Sequence, residues 1–410
     1  MTVRRAERGD IRALAELWTH AFPGERTVAE RVRQLEVGIP YGGIESAWVA
    51  EENGRITGAF KAYRLTEYVA GTALPMLGLA AVAVAGSARR RGLGRRLVQE
   101  ALRIGRDRGD AISVLYPFRP AFYEALGWGF AGELHVYRFR PEALPEYEGH
   151  EHVRPATPHD RGGITACYAR VARNANGPLR RTADAWTHHL DAPGVQAYVF
   201  ETGEVRGYLL ARYGRARSPE HRVLYIRELI AEDDDAYRGL LGWISRQRDQ
   251  WRRVRYDARR GEHMDVRLAD PRPPDFHPAR ALWFPTATTL RGPMLRVLDV
   301  QAALAARTGW GTEPRGETTI EIEVYDEQLP ENRGPWHLTI GEGGVAARRA
   351  DGGRAHARLA TDPATFAQVY TGELSPSAAA WLGRAEVSGQ TRRLDEVFRV
   401  AEPFWLLDEF

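Results

Sequence analysis

Residues 77–108 read LGLAAVAVAGSARRRGLGRRLVQEALRIGRDR, and the way this stretch divides decides the fold. Leu77 to Ala85 is an apolar run with the length and composition of a buried strand. After a short turn, Gly92, Leu93 and Gly94 open a segment in which Leu93, Leu97, Val98, Ala101, Leu102 and Ile104 recur at three- and four-residue spacing, the mark of an amphipathic helix. Strand, glycine-containing turn and helix together present free backbone N–H groups and a positive helix end to an anion. Glycines let the backbone approach that anion closely, and a pyrophosphate is its natural form here.

Two familiar phosphate loops do not fit. A P-loop requires Gly-Lys-Ser/Thr, and the single lysine of the chain, Lys61, lies elsewhere. The dinucleotide fingerprint requires Gly-x-Gly-x-x-Gly, whereas Gly92-x-Gly94 is followed by Arg95, Arg96 and Leu97. What remains is Arg89-Arg90-Arg91-Gly92-Leu93-Gly94, an instance of Arg/Gln-x-x-Gly-x-Gly/Ala. In this the chain resembles the GNAT acyltransferases, in which loop amides hold the pyrophosphate of acetyl-CoA. An ordinary solvated basic turn is the competing reading of six residues alone. The flanking apolar strand, the long helix and a second apolar run, Ala111 to Tyr116, favour the CoA reading.

Composition sets the frame. A chain of 410 residues implies two or three domains. The net charge of +3, with arginines scattered among acids, implies a local anion site and no nucleic-acid partner. No run approaches the roughly 20 apolar residues of a membrane span, and the N-terminus lacks a signal-peptide core, so a cytoplasmic protein is expected. Cys167, the only cysteine, rules out an intrachain disulfide and a multi-thiolate metal site, and its setting, ITACYARV, is that of a buried helix face. His150 and His152 have no further ligands nearby, and no metal is expected.

Along the chain, residues 3–20 are expected to form an amphipathic helix and Thr27 to Val37 a second, with HAFPGER between them. A hairpin of Ala47–Glu51 and Ile56–Leu65 turns at Asn53-Gly54, and Glu67–Thr72 is a further strand. Phe118–Leu126 is a short helix, with a strand from Trp128 through Arg138. FYEALGWGF resembles the GNAT Tyr-x-x-x-Gly-Phe pattern, with Trp128 in the Phe position.

The linker near 145–157 marks a boundary, after which VQAYVFETGEVRGYLLARYG repeats ESAWVAEENGRITGAFKAYRL strand for strand. In this second copy Asp233, Asp234 and Asp235 stand where the first has Arg89, Arg90 and Arg91, so it repels pyrophosphate. From about residue 290 the pattern resembles a sterol-carrier-like fold. The apolar ending Phe404-Trp405-Leu406-Leu407 belongs inside protein. The expected fold is therefore mixed α/β (α+β): a GNAT acetyl-CoA-binding domain over 1–147, a degenerate GNAT-like domain over 148–289 and a sterol-carrier-protein-like domain over 290–410.

Two GNAT-like domains, the third domain and a chain ending Glu409-Phe410 together resemble the enhanced intracellular survival (Eis) N-acetyltransferases. That resemblance implies a homo-hexamer that transfers acetyl directly from acetyl-CoA to small polycationic amines such as aminoglycosides. By position it implies that Val82 and Val84 align the acetyl and pantetheine groups, and that Arg89, Arg90, Arg91, Gly92, Leu93 and Gly94 hold the pyrophosphate. Tyr123 would protonate the leaving thiolate. The carboxylate of Phe410 would act as base or orient the cationic amine with Glu409. Glu25 and Trp18 would line the acceptor pocket, although Thr27 to Val37 lacks the tryptophan of the family pattern. Protein N-acetylation, CoA sensing and lipid carriage are the competing functions.

Overall fold

A computed structural model of the chain describes residues 2–38, 40–214, 222–276, 282–307, 317–342 and 344–410. The chain opens with a strand, β1 (Thr2–Arg5), paired antiparallel to β2 (Ala47–Glu52). The first helix, α1 (Ile11–Ala21), is therefore shorter than the sequence pattern suggests. Asp10 accepts the Glu7 N–H and the Arg4 guanidinium, and this knot separates strand from helix. Next come α2 (Val28–Val37), β2, and β3 (Arg55–Val69), with Asn53 and Gly54 both at positive φ in the turn. Strand β4 (Thr72–Val84) returns antiparallel to β3, so Glu67–Thr72 is the tip of a long hairpin and not a strand of its own. Ala70 and Gly71, at φ +44° and +85°, supply a turn that the apolar run concealed.

Helix α3 (Leu93–Asp107) crosses over to β5 (Ile112–Leu115), which lies parallel to β4. Helix α4 (Pro120–Glu124) and β6 (Gly129–Phe130) follow. One face of this sheet packs Leu14, Trp18 and Leu35 of α1 and α2, and the other packs Leu97, Val98, Ala101 and Leu102 of α3.

The strand expected from Trp128 through Arg138 is broken. Gly132 lies against Phe404, where a Cβ would come within 2.9 Å, and β7 (Glu133–Phe139) joins a different sheet. That sheet continues through β8 (Val153–Pro155), α5 (Arg161–Ala172), α6 (Ala183–Leu190), β9 (Val195–Glu201), β10 (Val205–Tyr213) and β11 (Val223–Ala231). It ends with α7 (Asp234–Ser245), β12 (Arg253–Arg259), the single turn α8 (Met264–Arg267) and β13 (Ala287–Arg291). Its strand order is β13-β7-β12-β11-β10-β9-β8, with β11 and β12 parallel. Cys167 is fully buried on α5, and burial pushes its thiol up.

In exchange for β7, β14 (Met294–Val297) enters the first sheet between β5 and β6, giving the order β1-β2-β3-β4-β5-β14-β6. This exchange makes the compact units discontinuous. One comprises 1–132, 176–180 and 292–410, and the other 133–175 and 181–291. The boundaries drawn on the sequence at 147 and 289 both fall within the second unit.

The first unit closes with α9 (Val300–Ala306), β15 (Thr318–Val324), β16 (Gly334–Gly341), β17 (Gly344–Arg349), β18 (Ala357–Thr361), α10 (Pro363–Tyr370), α11 (Pro376–Trp381), β19 (Ala385–Gly389) and α12 (Thr391–Phe398). Its second sheet runs β17-β16-β15-β18-β19. Phe404, Trp405 and Leu406 are buried, and the Asn176 carbonyl accepts the Trp405 N–H at 2.8 Å.

Candidate active site

Strands β4 and β5 pair only between Met76–Gly78 and Ile112–Val114, yet β4 runs on to Val84. Beyond Gly78 the two strands part. Ala81 takes φ +50° there, and the β3–β4 register slips between Ala59 and Lys61. A non-glycine residue in this region is strained by roughly 1–2 kcal/mol, so the bulge needs support. Trp18 provides it: its indole Nε1 donates to the Ala81 carbonyl at 2.7 Å. Trp18, read from sequence as part of the acceptor pocket, is a buried brace for the bulge. Val82 and Val84 follow the bulge, half-buried.

At the end of β4 the loop reaches α3. Gly92 precedes the helix at φ +78°, no side chain caps it, and no acid lies in its first turn. A Cβ on Gly92 would meet nothing within 4 Å, so the space before the helix is open. Arg90, at φ +60°, holds a second strained position, and Arg89 and Arg90 are exposed. The Arg89 Nε donates to the Val84 carbonyl, and Arg91 pairs with Glu52 at 3.1 Å. The equivalent helix of the second unit, α7, is closed: Asp233 accepts the Ala236 N–H at 3.0 Å and binds Arg206. One helix end offers its N–H groups outward and the other satisfies them with its own carboxylate.

Tyr123 lies on α4 within the α3-side core, edge-on to Phe122 and Trp128. Burial pushes its hydroxyl up to about 12, so it stays protonated near neutrality. The glycine of its motif has a structural cause. Gly127, at φ +93°, faces the guanidinium of Arg296, where a Cβ would come within 1.4 Å. Arg296 is fully buried on β14; its Nη1 donates to the Leu126 carbonyl at 2.6 Å and its Nη2 to both carboxylate oxygens of Asp326.

The C-terminus completes the first unit. The ring of Phe410 sits among Tyr41, Tyr63 and Tyr116, with centroids 6.1, 6.4 and 5.8 Å away. It also faces Gly78, where a Cβ would come within 3.1 Å of the ring. Gly78 is the last residue at which β4 and β5 pair, so the chain end lies beside the point where they part. Asp408 is buried and accepts from the Tyr41 hydroxyl at 3.1 Å, while its carbonyl accepts from Tyr116 at 2.9 Å. Glu409 is exposed. Glu25 is exposed on the α1–α2 loop, 3.4 Å from Arg31.

Sequence reading missed Tyr41, Tyr63, Tyr116 and Lys61. Alternation along β3 carried a signal: Ala59, Lys61, Tyr63 and Leu65 share a parity and hence a face. Among the described residues no group of three or more His, Cys, Asp and Glu could hold a metal ion, and no helix is long and apolar enough to cross a membrane.

Comparison with known proteins identifies the domains. Models of acetyltransferase (GNAT) domains match residues 2–131 and 177–297, and a sterol carrier protein domain model matches 300–406. The N-acetyltransferase Eis of Mycobacterium tuberculosis is 31% identical over 352 residues, covering 82% of this chain and 81% of that protein. The chain belongs to the Eis-like GNAT N-acetyltransferases. An uncharacterized N-acetyltransferase of Streptomyces avermitilis is 26% identical over 98% of both chains. The crystal structure of a GCN5-related N-acetyltransferase from Anabaena variabilis superposes with a TM-score of 0.83 at 21% identity over all of both chains. That of Eis1 from Mycobacterium abscessus gives 0.78 at 22%, again over all of both chains. These two likenesses bear on the fold.

GNAT acetyltransferases use acetyl-CoA. Three features of the Eis-like chain fit that group: the uncapped α3, the open space before Gly92, and the parted strands after Gly78.

Proposed function

We propose that this Eis-like enzyme transfers acetyl from acetyl-CoA directly to an amine of a small polycationic acceptor, the aminoglycosides being the model class. The observation that supports this reading is the ring of Phe410, which faces Gly78 beside the parting of β4 and β5. Bound acetyl-CoA supplies a thioester carbonyl open to attack by an amine. The N–H groups of Leu93 and Gly94, with Arg89 and Arg90, hold the pyrophosphate, and Arg91, paired with Glu52, stiffens the turn. The backbone of Val82 and Val84 lies along the parted strand and orients the acyl arm.

Tyr123, its hydroxyl pushed up to about 12 by burial, gives its proton to the departing thiolate. The Phe410 carboxylate, Glu409 and Glu25 attract the cationic acceptor. Protonated amines thus enter, and neutral acceptors gain nothing from this field. The family resemblance adds a cytoplasmic homo-hexamer, which light scattering reads directly.

Thiol release from acetyl-CoA, measured with kanamycin, spermidine and a lysine-containing peptide, tests the reading. Release is expected with the first two, and Tyr123→Phe should lower kcat by about 10²-fold with CoA affinity kept. Release with the peptide alone would move the activity to protein acetylation. CoA binding without release would make the protein a sensor.

A further inference from the structure

The chain holds one lysine among 57 basic residues, and it is buried. Lys61 lies on β3 directly opposite Ala80, beside the slip in register and one residue before the bulge at Ala81. Its Nζ sits 5.5 Å from the ring centroid of Trp18, the brace of that bulge, and 5.5 Å from that of Tyr63, which is edge-on to Phe410. The amine therefore lies between the ring that braces the bulge and a ring that touches Phe410. An apolar side chain would pack here without the penalty of burying an ammonium, as Ala47 does on the neighbouring strand directly opposite.

The charged groups that face it are Arg26 of the α1–α2 loop, Arg31 of α2 and Glu45 before β2. Arg26 and Arg31 repel a proton on Lys61, while Glu45, which attracts one, already accepts the Gly43 N–H at 2.7 Å. Tyr63, buried beside it, is held neutral, its hydroxyl pushed up by burial.

We propose that Lys61 is the proton acceptor that converts the incoming ammonium of the acceptor into the nucleophilic amine. This rests on the acetyl-transfer reading above and supplies what a terminal carboxylate lacks, since a carboxylate near 3.5 is a weak base towards an ammonium. The Lys61 Nζ takes one proton from the acceptor nitrogen. The freed amine forms the N–C bond to the thioester carbonyl, the C–S bond breaks, and the thiolate leaves with the proton of Tyr123. Tyr123 is reprotonated by the second proton lost from the nitrogen. The net products are an amide, a thiol and one proton on Lys61, which passes to water as product leaves. Burial, with Arg26 and Arg31, draws the Lys61 ammonium down to about 8, within reach of an amine acceptor. A permanently charged side chain would instead repel the substrate that the acids attract.

The single lysine makes the test clean. Full-length protein labelled with 13C,15N-lysine gives one side-chain resonance set, whose pH titration should have its midpoint near 8 in place of the ordinary value of about 10.4. In the thiol-release assay with kanamycin and spermidine, wild-type kcat/KM should rise with pH through about 8. Lys61→Met should cut kcat by about 10²-fold at pH 7 with little change in KM, and the deficit should shrink above about pH 10, where the acceptor is already neutral. Lys61→Arg, which keeps a cation that cannot deprotonate, should be as slow as Lys61→Met.

A midpoint near 10.4, recovery with arginine, or a methionine variant with wild-type kcat and pH profile would each overturn the proposal while leaving the acetylation reading intact. Wild-type protein that releases no thiol with any amine would end both. Circular dichroism of the variants separates loss of fold from loss of rate: if Lys61→Met fails to fold, the lysine titration alone decides.

Discussion

Glu67, on β3, is fully buried, and neither carboxyl oxygen has a hydrogen-bond partner among the described residues. Burial pushes its proton affinity well up, and the nearby charge of Asp408 pushes it further. The folded protein therefore keeps this proton at pH values where the unfolded chain, titrating near 4.3, has lost it. Because the unfolded state then binds fewer protons than the native one, stability falls as pH rises above that value. Glu67→Gln cannot ionise, so its melting temperature should exceed that of wild type by a margin that grows from pH 5 to pH 8. Equal melting at pH 8 would mean that the carboxylate finds a partner. No sequence pattern announced Glu67, because an acid at a strand position reads as exposed until the neighbours that cover it are known.

At the scale of elements, the two helices that follow parallel crossovers differ at their first residues. Helix α3 starts at a bare Gly92 and α7 at the self-capping Asp233. This contrast was legible in the sequence, since Arg-Arg-Arg-Gly and Asp-Asp-Asp carry opposite charge at matching places. Gly92→Ala forces a side chain into φ +78°, a strain of about 1–2 kcal/mol, and puts a methyl group where the anion approaches. Calorimetry should show CoA affinity falling at least tenfold, with the fold retained. Undiminished affinity would take the loop out of cofactor binding. The bulge at Ala81 was not legible. It arises from a one-residue mismatch between β3 and β4, which involves pairing and leaves no mark on either strand's hydrophobicity.

At the scale of the molecule, the chain end is part of the first unit's interior. Asn176 holds the tail through the Trp405 N–H, and Phe410 fills a cage of three tyrosines. Deleting Phe410 removes ring contacts worth about 0.5–1.5 kcal/mol each and withdraws the terminal carboxylate. The expected result is a melting temperature lowered by a few degrees and a large fall in turnover, with CoA affinity unchanged; wild-type turnover would remove the terminus from the reaction. Phe410→Ala, which keeps the carboxylate, separates the ring's contribution from the charge.

Local pattern was enough to identify the strand–loop–helix of residues 77–108, the repeat of the GNAT-like unit, the acidic replacement in its second copy and the apolar tail. Each of these depends on periodicity, spacing or charge among residues close in sequence. The exchange of β7 for β14, the part of Trp18 as a brace, the clash that makes Gly127 obligatory and the meeting of Lys61, Tyr63 and Phe410 were decided by the tertiary structure alone. They join residues tens to hundreds of positions apart, through strand pairing and burial that no single segment specifies.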